Sequence, residues 1–308
     1  MERLDVAIGR TIIYGDVFSF PMKTSEIHHF LIVETPVTLQ EVAQRLETSA
    51  YLKSLLVHNM GYYALNKRAH LIDLRLEREQ FAPQLMHKAI RYGRLLTYFP
   101  FIEMVAITGA LAMHNPSEPN DDLDYILITR PGRVWLGWAF AIGLVHVMRL
   151  FKLEICPNYV LASDQLRQSK QDLYIAHEVA QMFPLCNIGL YNLMRSQNPW
   201  TDEYLANAQY PLQIVDIKPQ NRAGILLKRS LEAILSTRLG NWLEAWEYQR
   251  KSRRFQQQAQ QPTASAQIDQ GHVKGHFNDY GYGVLAQYQA KLKEYDLLEQ
   301  HELEAAGD

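Results

Sequence analysis

The residues best suited to chemistry fall in one run, TGALAMHNPSEPNDDLDYILIT, residues 108–129. Asp122 and Asp124 stand two apart where an apolar, β-branched stretch begins. On a strand, residues two apart project from the same face. Two carboxylates side by side repel unless a cation lies between them, so the spacing points to a divalent-metal site. Asp121, in the opposite register, is expected to face solvent. Gly109 directly follows the apolar run EMVAIT, where a glycine lets the backbone turn sharply and a phosphate come close. The plainer readings are an acidic turn ahead of a strand and a glycine that serves a tight turn only.

Positioning these groups requires strands. EMVAIT (103–108) and LDYILIT (123–129) read as two, separated by a short helix and a polar turn over 115–120. LEICPNYVL (153–161) reads as a third, reached through VWLGWAFAIGLVHVM (134–148). That last segment is shorter than the roughly 20 residues that span a bilayer and holds His146, so it is expected to be a buried helix rather than a membrane span. Alternating strands and helices imply an α/β sheet.

Before the sheet, residues 1–75 read as an α-rich module. A helix is expected to start near Thr24 or Ser25, with Ile27, Phe30 and Leu31 on one face. Thr38 with Glu41 has capping-box spacing, and VHNMGYYALN has the form of a small hairpin around Asn59–Gly61. Helices followed by a hairpin give a winged-helix-like module. Its second helix carries few basic residues, Arg45 and then Lys53, which argues against DNA binding.

Residues 74–98 are helical in period, with Pro83 expected to break the helix early. Residues 172–195 are helical with a break near Pro184. Residues 222–255 form one or two amphipathic helices whose expected core is Leu226, Leu227, Leu231, Ile234, Leu235 and Trp242. QQQAQQPTASAQIDQG reads as a flexible loop, and GVLAQYQAKLKEYDLL as a closing helix.

Composition bounds the rest. The chain has 308 residues and a formal net charge of -2, which gives no overall bias towards nucleic acid. Cys156 and Cys186 have neither CxxC nor Cys/His spacing, which fits a reducing cytoplasm better than a disulfide or zinc framework. His177-Glu178 lacks the second histidine of HExxH and reads as helix packing or support to a site. His272 and His276 are four apart, but Gly271 and Gly275 argue against the helix that would let both bind a metal.

A strand, Gly plus a small residue, a helix and then Asp-x-Asp on a strand resembles the polymerase-beta-like nucleotidyltransferase superfamily. The wider run TGALAMHN…DDLDYILITRPGRVWL, with CPNYVL, YIAHEVAQMFPL and the earlier YGDVFSFPMKTSEI, is similar to bacterial nucleotidyltransferase-domain proteins of unassigned substrate. The resemblance implies transfer of a nucleoside monophosphate from a nucleoside triphosphate, with two magnesium ions held by Asp122, Asp124 and a third acid on a later strand. Glu154 is the candidate for that acid; Asp164 fits less well. Thr108, Gly109, Ala110 and Arg133 are the candidate nucleotide-binding residues. Ala110 stands where the superfamily usually has serine or glycine, so one hydroxyl contact is missing unless Thr108 or Ser117 replaces it.

The expected architecture is therefore α/β (α+β). It comprises a winged-helix-like module (1–75), a nucleotidyltransferase-type mixed-sheet core with its leading helix (76–170) and a C-terminal helical region (171–308). The acceptor is open: RNA, protein or a small molecule. Two rivals stand beside this reading, a catalytically inactive scaffold of the same fold and a DNA-binding regulator acting through the first module.

Overall fold

Thr38 shows how local chemistry sets the elements. Its Oγ1 accepts from the Glu41 amide at 3.2 Å while the Glu41 carboxylate accepts the Thr38 amide at 2.8 Å, closing the expected capping box. The computed structural model describes residues 2–150, 155–217, 221–259, 268–274 and 280–298, and over 254–259 the backbone alone.

The chain opens with α1 (Arg3–Val17), α2 (Thr24–His29), α3 (Leu39–Thr48) and α4 (Ala50–Leu55). The expected hairpin follows as β1 (Leu56–Asn59) and β2 (Tyr62–Leu65). Arg45 on α3 is engaged within the module: it donates to both Asp5 carboxylate oxygens, at 2.9 and 2.6 Å, and pairs with Glu2.

Then come α5 (Leu71–Leu96), β3 (Ile102–Ile107), α6 (Gly109–Ala112), β4 (Leu123–Thr129), α7 (Val134–Arg149) and β5 (Ile155–Ala162). The chain continues through α8 (Leu173–Ala180), β6 (Phe183–Pro184), α9 (Ile188–Gln197) and α10 (Thr201–Tyr204). It closes with α11 (Arg222–Leu235), α12 (Arg238–Ala259), β7 (His272–Lys274) and α13 (Tyr280–Glu294). Pro83 does not break α5, contrary to expectation. Proline forfeits one backbone hydrogen bond, but Ala82, Leu85, Met86 and Ala89 around it are buried and hold the helix together.

The five-stranded sheet is open and mixed, in the order β6-β3-β4-β5-β7. β4 and β5 run parallel, joined through α7, and the other neighbours are antiparallel. Leu123, Tyr125 and Leu127 face α5 and α7, while Ile126 and Ile128 face α8, α13 and the first module. The first module thus shares one hydrophobic cluster with the sheet. Arg75, fully buried on α5, reinforces the junction by donating to Glu26 and Glu79, both at 2.9 Å, and lying 4.0 Å over the Phe20 ring.

The N-terminal half of α7 is buried, whereas Gly143, His146 and Val147 in its second half are exposed, contrary to the expectation of a buried helix. Its first free amides are met from α12, where Trp135 and Leu136 donate to Glu244, each at 2.9 Å. Among the described residues no helix is long and apolar enough to cross a membrane. The expected core of α11 and α12 is different in fact. Leu235 is buried, but Leu226, Leu227, Ile234 and Trp242 are exposed. Periodicity marks an apolar face without saying whether anything covers it.

Candidate functional site

Thr108 ends β3 in extended conformation, and its amide donates to the Asp124 carbonyl at 3.0 Å. Gly109 then turns with φ +66°, a left-handed geometry that glycine adopts without strain. Its missing side chain matters twice, because a Cβ there would stand 2.5 Å from Asp124 Oδ2. The bend and the carboxylate therefore lie against one another, as the strand–glycine–Asp-x-Asp pattern suggests. Ala110 is exposed beside them.

Asp124 shares its sheet face with Ile126 and Ile128, and Asp122, two residues earlier, is exposed at the same end of β4. Burial pushes Asp124 up to about 7, against a hydrogen bond from Asn158 that favours the charged form; the charges of Asp122, Glu178 and Asp121 add to the rise. Asp121 is half-exposed in the polar turn ahead of β4. It closes the polar turn, accepting from the Ser117 amide at 2.6 Å and the Ser117 hydroxyl at 2.9 Å. The Ser117 hydroxyl is thereby spent on the turn.

On β5, Cys156 stands opposite Asp124 in register, and the pairing then slips so that Tyr125 meets Pro157 while Ile126 meets Tyr159. Asn158 falls in that bulge, and its side chain bonds to the Asp124 carboxylate. Its Oδ1 accepts from Cys156 Sγ at 2.8 Å, so thiol, amide and carboxylate form a chain. Glu154 lies outside the described residues. From α8, Glu178 reaches the same neighbourhood: burial pushes it up to about 7, against the opposing pull of Lys274 and a hydrogen bond from Gln181. Its neighbour His177 is a packing group, stacked on Tyr14 at 3.9 Å with its ring nitrogen on the Leu173 carbonyl.

Arg133 is not brought to this site. It follows the opposite end of β4, about 20 Å away along an extended strand, where it donates to Asn241 at 2.7 Å and lies over Phe101. A cleft of about 510 Å³ lined by Glu103, Arg130, Lys228 and Glu232 also opens at that far end. It is therefore separate from the acidic residues.

The carboxylates of Asp122 and Asp124 offer oxygen donors of the kind magnesium takes, while Asn158 turns its N–H to Asp124 and its Oδ1 to Cys156 and so supports the carboxylate rather than binding the ion. A cation there would offset the burial and the neighbouring negative charges that together raise Asp124. Among the described residues no cluster of three or more His, Cys, Asp or Glu is placed to hold a metal. Sequence reading missed Asn158 and Cys156. The available signal was Pro157, which a central strand tolerates at a bulge, and a bulge redirects its neighbours.

No known family model, curated protein or solved structure matches the chain.

Proposed function

We propose that the chain transfers a nucleotidyl group from a nucleoside triphosphate to an acceptor, at the end of the sheet where Asp124 lies against the Gly109 bend. That contact carries the reading: it joins a backbone turn open to phosphate with a carboxylate whose charge is costly unless neutralised. Asp122 and Asp124 would hold magnesium, which when bound neutralises triphosphate charge. Asn158, oriented by Cys156, fixes the Asp124 carboxylate. The Gly109–Ala110 bend accepts the phosphates, and Glu178, a carboxyl that burial raises to about 7 and whose charge is felt at Asp124, suits uptake of the acceptor's proton. With Arg45 occupied by Asp5, the first module is assigned no DNA-reading role.

A second reading, a non-catalytic member of the same fold that binds nucleotide, draws on Ala110, which supplies no hydroxyl to a triphosphate. Incubation with magnesium, α-phosphate-labelled nucleoside triphosphates and separate pools of RNA, protein and small molecules distinguishes the two. Label transferred by wild type and lost in Asp122→Ala/Asp124→Ala supports transfer. Label equal in both contradicts it, and magnesium-dependent binding without transfer selects the second reading.

A further inference from the structure

The outer face of α11 and α12 combines apolar and cationic side chains with no acid among them. Leu226, Leu227, Ile234, Leu239, Trp242 and Trp246 are each between 49% and 63% exposed. Residues 222–253 contain three acids, and all three are turned inward. Glu232 accepts the Phe101 amide at 2.9 Å, Glu244 takes the amides of Trp135 and Leu136, and Glu247 is buried with Arg250 on its carboxylate. Arg222, Arg229 and Arg238 are exposed, and none has an acidic partner among the described residues.

From this segregation we infer that the α11–α12 face docks onto an anionic phospholipid surface. Leucine, isoleucine and tryptophan side chains enter the boundary between headgroups and acyl chains, where the indole ring is well accommodated. The arginines lie among them as partners for lipid phosphates, their stems lying along apolar surface. The charge pattern selects this occupant over a second copy. A two-fold mate would set arginines against arginines with no acid to answer them. Nucleic acid would answer the charge but leave four aliphatic side chains without apolar contact. The chain's net charge of -2 shows the attraction to be local to this face.

The placement also suits a surface-bound enzyme. Lys228 on α11 donates to the Thr97 and Ile102 carbonyls at 2.9 and 2.8 Å, and Glu232 holds Phe101, so both anchor α11 at the start of β3. Asp124 and Gly109 are at the other end of the β3–β4 pair. Docking through α11–α12 leaves that end clear, and the inference stands or falls independently of nucleotidyl transfer.

Flotation of the full chain with vesicles tests it, using phosphatidylcholine alone or mixed with phosphatidylglycerol. Wild type is expected to float with the mixed vesicles and not with the neutral ones. Arg229→Glu/Arg238→Glu and Leu226→Ser/Trp242→Ser should each weaken partitioning about ten-fold or more. All four residues are exposed, so the circular dichroism of both variants should match wild type. Absence of flotation, or equal flotation of wild type and both variants, would overturn the inference. So would a dimer mass in light scattering that only Leu226→Ser/Trp242→Ser reduces, or RNA binding removed by the same changes without any effect of lipid.

Discussion

Asp124 Oδ2 occupies the space that a Cβ at position 109 would need, 2.5 Å from where that atom would stand. A side chain on the bend and a carboxylate on the strand are therefore mutually exclusive. Gly109→Ala tests this. Alanine must adopt φ near +66°, costing about 1–2 kcal/mol, and must also displace Asp124. The expected outcome is a folded protein with a modestly lower melting temperature and at least about ten-fold weaker magnesium-dependent nucleotide binding. Unchanged binding would mean that the contact has no part in function.

Arg75 joins the first module to the leading helix of the sheet. Its guanidinium is fully buried and meets Glu26 and Glu79, which are themselves only partly exposed. Arg75→Met keeps the packing volume but leaves two carboxylates without their cation. A loss of about 3 kcal/mol in urea unfolding is expected, and a loss below about 1 kcal/mol would show the network to be dispensable.

His177 provides a pH dependence with a definite sign. It is stacked on Tyr14 and buried, and burial pulls it down to about 4 from an ordinary value of 6.5. The folded state therefore binds its proton less readily than the unfolded chain does. The stability contributed by the neutral ring is fully present above pH 6.5 and is lost progressively as pH falls towards about 4. Asp124 and Glu178, both raised to about 7, change stability in the opposite sense over the same window. The measurement is thus the difference in melting temperature between wild type and His177→Phe. Wild type should lose ground to the variant between pH 6.5 and 4.5, by about 2 kcal/mol, and a difference constant with pH would contradict the assignment.

Those features show where the sequence was legible. The Thr38–Glu41 box, the hairpin around Asn59–Gly61 and the strand pair carrying Gly109 and Asp124 follow from short-range rules, and the structure has them. What was not legible depends on tertiary context. Pro83 survives inside α5 because its neighbours are buried. The leucines of α11 mark a real apolar face, but only the assembled fold reveals that it is left open. Asn158 reaches Asp124 through a register slip that no period-two count predicts. Arg133 follows the same strand as Asp124 but leaves from its opposite end, a separation that nearness in sequence conceals.

The most direct test of the central claim is calorimetric titration of the full chain with each nucleoside triphosphate, with and without magnesium, for wild type and Asp122→Ala/Asp124→Ala. The account predicts binding that requires magnesium in wild type and disappears in the double variant. Binding of equal strength in both proteins, or binding indifferent to magnesium, would contradict it.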